Sequence, residues 1–173
     1  MPATRADLFA FLDRLGIETE THEHPPIYTV EEGRPLKAGL PPGGHTKNLF
    51  LKDKKGVLLL ISAKDDTDVP LKGLHRHLDC GRLSFGNAGL LREALGVTPG
   101  SVTAFALLND SQGRVRFILD AALTRPERIY FHPLENTAST SIAPAGLIRF
   151  AEACGHRPEI FDFAALGAQA PGN

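Results

Sequence analysis

A lysine and an asparagine stand side by side where an apolar strand begins, in the stretch "HTKNLFLKDKKG", residues 45–56. The ammonium of Lys47 could bind a phosphate or a carboxylate, and the amide of Asn48 offers both a donor and an acceptor. If the strand has already begun, the two side chains point to opposite faces, whereas a loop would remove this conflict. A lysine that lays its alkyl stem along the sheet edge explains Lys47 equally well, so the residues alone leave both interpretations open.

A histidine and a glycine-containing loop are further candidates for contact with a polar substrate. His132 closes an expected strand and precedes Pro133, a rigid position suited to orienting a substrate, although a structural histidine is an equal alternative. Residues 96–102, "GVTPGSV", are expected to form a loop after a helix, and their main-chain amides could hold an oxyanion. An ordinary helix stop followed by a turn would give the same pattern.

The histidines could instead bind a metal, but their spacing gives this interpretation weak support. His75, His77 and Cys80 have loosely ligand-like spacing, and so do His22 and His24. Residues two apart in a helix do not share a face, and a catalytic zinc site usually has three protein ligands and a second shell. We therefore expect no metal and no other cofactor. The sequence also lacks a Walker loop, a dinucleotide glycine fingerprint and a nucleophile elbow.

Length and composition are typical of one soluble globular domain over residues 1–173, with 42% hydrophobic and 23% charged residues. The net charge of −1 gives no global attraction for nucleic acid, so an RNA partner would be held over a small footprint. No stretch resembles a secretion signal or a membrane span, and no membrane partner is expected. Two cysteines, Cys80 and Cys154, make no disulfide framework and are expected to be buried, inert thiols in a reducing cytoplasm.

Helices are expected where apolar residues recur at helical spacing between capping residues. Thr4 and Asp7 form a capping box at the start of the first helix, and Gly16 ends it. A short second helix is expected after the cap Thr29 and is predicted to end before Pro35. Three further helices are expected, over "LKGLHRHL", from Asn87 to Gly96 and from about Pro144 to Cys154.

Strands are expected at two hairpins and at three shorter segments. The first hairpin joins "KNLFLKD" to "VLLLISA", whose apolar residues on both faces predict a central strand. The second hairpin joins "TAFALLND" to "RVRFILD", and shorter strands are expected at "IETETHEH", "RLSFG" and "RIYFHP". The run "LENTASTSIAP" is polar and rich in small residues, and residues 167–173 are expected to be a loose tail. The sum is a single α/β domain with a mixed, hairpin-rich sheet and packed helices; a doubly wound fold is rejected because strict βαβ alternation is absent.

Several ordered stretches resemble one known family. They are "HPPIYTVEE", "TKNLFLKD", "GRLSFGNAGLLREALGVTPGSVTAFALLND" and "FHPLENTASTSI". They look like the YbaK/prolyl-tRNA synthetase-associated domain family, and most of all like its ProX (PrdX) subgroup of freestanding editing proteins. The resemblance runs from about His24 to Phe163. It implies the YbaK-like α/β fold of that family.

The resemblance implies a metal-independent deacylase that hydrolyses mischarged tRNA in trans, with alanyl-tRNA(Pro) as the expected substrate. Prolyl-tRNA synthetase rejects the smaller alanine poorly, and a second site that admits only the smaller amino acid corrects the error. In the implied mechanism the free ribose hydroxyl of the terminal adenosine helps to activate water, and backbone amides stabilise the oxyanion. The implied partners are the acceptor end of the mischarged tRNA and prolyl-tRNA synthetase.

Site residues are carried over from the family position by position. The resemblance makes three residues catalytic: Lys47, Asn48 and His132. Lys47 would meet the phosphate or carbonyl region of the aminoacylated end. The resemblance also implies a substrate-binding wall of seven residues in two segments, the second with altered spacing: Ile27, Tyr28, Thr29, Gly96, Thr98, Pro99 and Gly100.

Three other functions are compatible with the same residues. A non-catalytic module could bind aminoacyl-tRNA or a synthetase without hydrolysing an ester. A deacylase could accept another small amino acid, cysteine or serine. A metal-dependent hydrolase could use the histidine pairs, and metal analysis would distinguish it from the other two.

Overall fold

An eight-stranded mixed β-sheet and six α-helices form the protein within residues 1–169, the part of the chain that the computed structural model describes. The helices are α1 (Arg5–Arg14), α2 (Val30–Gly39), α3 (Leu71–Leu78), α4 (Ala88–Leu95), α5 (Pro144–Ala153) and α6 (Phe163–Gln169). The strands are β1 (Thr19–Glu23), β2 (Gly44–Asp53), β3 (Leu58–Lys64), β4 (Leu83–Phe85), β5 (Val115–Asp120), β6 (Ile129–Phe131), β7 (Ala138–Ile142) and β8 (Glu159–Phe161). Among these described helices, none has the length and apolar character needed to cross a bilayer.

The sheet combines antiparallel and parallel pairs, which confirms the predicted α/β class. The strand order is β1-β7-β6-β2-β3-β5-β8, and β4 pairs with β2 off this path. Strand pairs β1–β7, β6–β7, β2–β3 and β2–β4 are antiparallel, whereas β2–β6, β3–β5 and β5–β8 are parallel. The predicted hairpin of β2 and β3 is present. Strand β3 lies between β2 and β5 and is buried over six of its seven residues, so its predicted central position is confirmed.

Alternate residues of β3 supply two separate hydrophobic cores. Leu58 and Leu60 face the larger core, which contains side chains of α1, α4 and α5. Leu59 and Ile61 face the smaller core, where they pack with residues of α3 and α6. Burying each of these leucines stabilises the fold by roughly 1.5–3 kcal/mol relative to leaving it exposed. The hairpin of β2 and β3 is therefore a rigid platform with packed side chains on both faces.

The predicted helix caps are confirmed at α1 and α4. Thr4 Oγ1 accepts a hydrogen bond from the Asp7 N–H at 3.1 Å, and Asp7 Oδ2 accepts one from the Thr4 N–H at 2.8 Å. Asn87 Oδ1 accepts from the N–H of Leu90 at 2.8 Å. Gly96 ends α4 with φ +67°, a left-handed conformation that glycine adopts without a Cβ clash.

Helix α2 begins where predicted but continues through its proline. Thr29 Oγ1 accepts from the N–H of Glu32 at 3.1 Å, which confirms the predicted cap. The predicted end before Pro35 is wrong, because the helix runs on to Gly39. Proline removes only the hydrogen bond to the carbonyl four residues earlier, and α2 is exposed along most of its length. Water can therefore satisfy the carbonyl that Pro35 leaves free.

The predicted second hairpin is wrong. Residues Ala104–Asn109 form a 3₁₀ helix, and Thr103 Oγ1 caps it by accepting from the N–H of Phe105 at 3.2 Å. Strand β5 pairs in parallel with β3 instead. A short apolar run buried on all sides has no alternation that distinguishes a strand from a helix. The buried 3₁₀ helix packs into the larger core.

The polar run after His132 contains a strand that its composition does not reveal. Strand β7 is fully buried between β1 and β6, although three of its five residues are serine or threonine. The hydroxyls of Thr21 and Thr140 lie 2.8 Å apart across the β1–β7 pair. Cross-strand hydrogen bonds of this kind allow a buried strand to consist of small polar side chains. Such a strand lacks the alternating apolar residues by which strands are predicted.

The predicted loose tail at residues 167–173 overlaps the last residues of α6. Helix α6 spans Phe163–Gln169, and Phe163 is buried in the smaller core against α3. Residues 167–169 are thus helical. The remaining residues of the predicted tail, 170–173, lie outside the described part of the chain.

A buried hydrogen-bonded pair joins the turn after α5 to the turn before β5. His156 Nε2 lies 2.7 Å from Asp110 Oδ2, and Asp110 also accepts from the N–H groups of Arg114 and Val115. Removing one partner leaves the other buried polar group with an unmet hydrogen bond. We expect His156→Ala to lower the free energy of unfolding by about 2–4 kcal/mol, measured by urea denaturation.

The matched control is His77→Ala, since His77 is exposed on α3. This change is expected to alter the free energy of unfolding by no more than about 0.5 kcal/mol. Equal stabilities of the two variants would show that the buried pair does not stabilise the fold.

Candidate active site

A cavity of about 320 Å³ lies between helix α2, the start of β2 and the end of β6. Its lining combines apolar side chains on the α2 side with polar side chains on the strand side. The lining residues are Ile27, Tyr28, Thr29, Gly33, Leu36, Lys37, Leu40, His45, Thr46, Asn48, Tyr130, Phe131, His132 and Ser139. A cavity of this volume is within the usual range for a small-molecule site.

One edge of β2 is uncovered where it borders the cavity. In the antiparallel pair with β3, odd-numbered residues of β2 such as Asp53 exchange backbone hydrogen bonds with β3. The N–H and C=O groups of even-numbered residues therefore point to the opposite edge. On that edge β6 pairs at 44–45 and β4 at 51–53. Within the described residues, neither strand pairs with Asn48, so its N–H and C=O face the gap between them.

The side chain of Asn48 is fixed by a short chain of hydrogen bonds. Its Oδ1 accepts from Ser62 Oγ at 2.5 Å, and its Nδ2 donates to Thr46 Oγ1 at 3.2 Å. Thr46 Oγ1 in turn donates to the carbonyl of Tyr130 at 2.7 Å. These bonds tie β2 to both neighbouring strands beside the cavity. The orientation of Asn48 is therefore set before any substrate arrives.

His132 presents a neutral imidazole to the cavity. It directly follows β6, and its Nδ1 donates to the carbonyl of Ala138 at 3.0 Å, because a carbonyl can only accept. Burial lowers the pKa of His132 below its ordinary value of 6.5, and the hydrogen bond to the Ala138 carbonyl opposes this shift only in part. At neutral pH the ring thus carries its proton on Nδ1 and offers the Nε2 lone pair as an acceptor.

Asn136 holds the segment before α2 in place and was missed by the sequence analysis. Its Nδ2 donates to the carbonyl of Ile27 at 2.6 Å, and its Oδ1 accepts from the N–H of Ile27 at 3.3 Å. This clamp joins residues 109 positions apart, and Asn136 itself is buried. The clamp holds Ile27 and the adjacent Tyr28 at the cavity. A single asparagine in a polar run carries no sequence signal for such a contact.

Five of the predicted site residues meet at this cavity: Ile27, Tyr28, Thr29, Asn48 and His132. Lys47 is separated from Asn48 because β2 already begins at Gly44, so the two adjacent side chains point to opposite faces. The predicted alternative of a loop at this point is therefore wrong. Lys47 is half-buried on the face of the smaller core. A hydrogen bond from Lys64 lowers the pKa of Asp66, with a smaller contribution from the charge of Lys47.

The predicted glycine-containing loop is divided between two places. Gly96 lies away from the cavity, where a Cβ would come within 2.7 Å of the Asn109 side chain. Thr98 and Pro99 are exposed and lead to Gly100. A Cβ on Gly100 would lie 3.4 Å from Asn136 Nδ2 and 3.7 Å from the ring of Tyr28. The loop thus touches the rim of the cavity through Gly100, and Gly96 serves as the helix stop.

Residues 24–150 match the sequence profile of the aminoacyl-tRNA editing domain. The chain belongs to the aminoacyl-tRNA editing domain family. The matched range contains every residue that lines the cavity of this editing domain. The family predicted from the sequence is confirmed.

Two relatives of the editing domain align over most of their length. Prolyl-tRNA synthetase associated domain-containing protein 1 of Danio rerio is 42% identical over 161 residues, covering 92% of this chain and 87% of the relative. Prolyl-tRNA editing protein ProX of Acetoanaerobium sticklandii is 32% identical over 151 residues, covering 86% and 91%. A solved structure, described as a candidate trans-editing enzyme for prolyl-tRNA synthetase, has a TM-score of 0.69 and 17% identity, covering 94% of this chain and 98% of that chain. At this identity the structural likeness supports the fold.

The histidines and cysteines outside the cavity were the sequence candidates for metal ligands or nucleophiles. In the described part of the editing domain, no three histidine, cysteine, aspartate or glutamate side chains form a group that could hold a metal. Burial raises the pKa of Cys154 to about 12 and also raises that of Cys80. Both thiols are therefore protonated at neutral pH and are poor nucleophiles.

The Asn136 clamp is expected to protect the Ile27 amide from solvent exchange. In Asn136→Ala the N–H and C=O of Ile27 lose their hydrogen-bond partner. This loss should destabilise the closed state of the segment by about 1–1.5 kcal/mol. We expect hydrogen–deuterium exchange at Ile27 to become roughly tenfold faster. The measurement is residue-resolved exchange by NMR.

Asn87→Ala is the control for this experiment, because it removes the cap of α4 and leaves the segment before α2 unchanged. Its exchange at Ile27 should match the wild-type protein. The clamp would be rejected if both variants exchanged at the wild-type rate.

Proposed function

We propose that this editing domain hydrolyses the ester of a mischarged tRNA in trans, with alanine on proline-type tRNA as its substrate. The observation that carries the proposal is the meeting of Asn48 and His132 with the apolar Ile27 and Leu36 in one small cavity. Such a site can hold a small acyl group beside polar groups that act on its ester. The names of the relatives support a proline-type tRNA and make prolyl-tRNA synthetase the proposed protein partner.

The main-chain N–H of Asn48 is the proposed donor to the ester carbonyl oxygen. That oxygen becomes negatively charged when water adds to the carbonyl carbon, and one fixed donor can be worth about 100- to 1,000-fold in rate. The N–H lies on the uncovered edge of β2, so it can bind the oxygen without breaking a sheet hydrogen bond. In this proposal the strand edge takes the role that the sequence suggested for the Gly96–Gly100 amides.

Ester hydrolysis is completed by groups of the substrate, as the family resemblance implies. Water forms the new bond to the carbonyl carbon, the bond to the ribose oxygen breaks, and that oxygen takes a proton as the tRNA leaves. The neighbouring ribose hydroxyl orients the water. His132 Nε2 is the proposed acceptor for this hydroxyl, because its Nδ1 proton is committed to Ala138. His132 thus positions the substrate without acting as a general base.

Selection for alanine is proposed to depend on the packed apolar side of the cavity rather than on its total volume. Ile27, Leu36 and Leu40 form its apolar side, and the clamp of Asn136 on Ile27 keeps this wall from opening. An oversized proline ring must displace packed side chains, at roughly 1–3 kcal/mol. A small side chain meets no such barrier. Serine is close to alanine in size and is expected to be hydrolysed to some extent.

Contacts with the tRNA are proposed to be confined to its acceptor end. The net charge of −1 provides no general attraction for RNA. Tyr28 is 77% exposed at the rim of the cavity, and an exposed aromatic ring can stack on a base. Lys47 lies on the opposite face of β2 from Asn48, so its ammonium is proposed to contact a phosphate of the same terminus.

Lys47 is expected to be required for activity and dispensable for folding. Lys47→Ala should lose most deacylation of alanyl-tRNA(Pro) while its melting temperature stays within about 2 °C of wild type, since the change removes no core packing. The measurement is release of labelled alanine from alanyl-tRNA(Pro) at a fixed salt concentration.

The wild-type rate in the same assay tests the proposed function itself. A protein that binds this tRNA without speeding hydrolysis is a binding module.

Lys54→Ala is the charge-matched control, because Lys54 is exposed in the turn after β2. It removes one positive charge and should keep nearly full activity. Equal activities of the two lysine variants would contradict the role of Lys47.

The low pKa of His132 predicts a flat pH profile around neutrality. Because the pKa of His132 lies below 6.5, the neutral ring predominates as the pH falls from 8 to about 6.5, and the ring with a protonated Nε2 becomes the major form only at lower pH. After correction for spontaneous ester hydrolysis and for the titration of the substrate's own α-amine, kcat/KM should be nearly constant over this range and fall below it. His132→Gln keeps an acceptor that does not titrate, so the acid limb should be absent in this variant. A rise in rate between pH 6.5 and 7.5 that vanished in His132→Gln would indicate a general base instead.

A further inference from the structure

A serine that lines the cavity forms a buried pair with a histidine, and the proposed mechanism does not use this pair. Ser139 Oγ lies 3.0 Å from His24 Nε2, and His24 Nδ1 lies 2.7 Å from the carbonyl of Pro25. Ser139 is 8% exposed and His24 is 9% exposed. Ser139 lies on β7 and lines the cavity.

The hydrogen bonds fix where the serine proton points. The carbonyl of Pro25 can only accept, so Nδ1 of His24 carries the ring proton. In the neutral ring Nε2 is then an acceptor, and the hydroxyl of Ser139 must donate to it. The remaining lone pairs of Ser139 Oγ are directed to the cavity. His24 therefore converts a hydroxyl that could donate or accept into a fixed acceptor.

A fixed acceptor at this place suits a ligand group rich in donors. The α-ammonium of an aminoacyl ester has three N–H donors and a positive charge. Among the described residues that line the cavity there is no carboxylate, so neutral acceptors must receive these donors. Ser139 Oγ is one such acceptor, and it is free because His132 Nε2 is assigned to the ribose hydroxyl. We infer that Ser139, oriented by His24, binds the α-ammonium of the substrate and makes the site selective for esters with a free amine.

This inference rests on the proposed deacylase function and is tested with two esters on one proline-type tRNA. One carries alanine and the other propanoate, which has the same carbon skeleton without the amine. Relative to the ratio of the two spontaneous hydrolysis rates, wild-type protein should prefer the alanyl ester in kcat/KM by about 10- to 100-fold, the usual effect of a hydrogen bond to a charged group. Ser139→Ala should lower this preference to near the ratio of the spontaneous rates. Hydrolysis of the propanoyl ester and an unchanged melting curve show that the variant is folded.

Two further variants separate an acceptor from a nucleophile. Ser139→Cys keeps the shape but replaces the oxygen with a weak acceptor, so its preference should fall as in Ser139→Ala. His24→Ala leaves the serine hydroxyl free to rotate and should lower the preference by a smaller factor. Ser139 would instead be a nucleophile if Ser139→Ala abolished hydrolysis of both esters and Ser139→Cys accumulated an acyl-enzyme seen by mass spectrometry.

The inference and the proposed function can fail separately. An unchanged preference in Ser139→Ala, with both esters hydrolysed, would overturn the ammonium contact and leave the deacylase function standing. A wild-type protein that hydrolyses neither ester would overturn the proposed function and the contact with it.

Discussion

The cavity depends on an interruption in the pairing along one edge of β2. Hydrogen bonds of an antiparallel strand alternate between its two edges, and the even-numbered residues of β2 face away from β3. Strands β6 and β4 cover only the two ends of that edge, at 44–45 and 51–53. The backbone of Asn48 therefore borders a gap inside a sheet that is otherwise closely paired. Because β3 packs on both faces, this edge is held rigidly.

Hydrogen bonds from loops and neighbouring strands surround the gap with fixed polar groups. Asn136 clamps Ile27, Ala138 holds the ring of His132, and Ser62 orients Asn48. Each of these bonds commits a donor or an acceptor, so the groups left facing the cavity have defined directions. Burial keeps His132 neutral by lowering its pKa. The site thus combines a shaped apolar wall with oriented neutral polar groups, an arrangement suited to a reaction in which the substrate supplies part of the chemistry.

Local signals predicted the fold better than they predicted the site. The capping box at Thr4, the hairpin of β2 and β3 and the glycine stop at Gly96 depend on neighbouring residues, and all three were predicted. The 3₁₀ helix at Ala104–Asn109 and strand β7 were missed, because burial on all sides or cross-strand hydroxyl bonds replaced the usual periodicity. Asn48 and His132 were candidates from their own chemistry and position, and the family resemblance implied their catalytic role. The clamp by Asn136 and the pairing of His24 with Ser139 join residues more than a hundred positions apart, and no local pattern encodes them.

The central claim is that a rigid small cavity selects the acyl group of a mischarged tRNA by size. The direct measurement compares kcat/KM for alanyl-tRNA and prolyl-tRNA built on the same proline-type tRNA body. If proline must displace packed walls at roughly 1–3 kcal/mol, alanyl-tRNA is hydrolysed about 5- to 150-fold faster. Equal rates for the two esters would contradict the account.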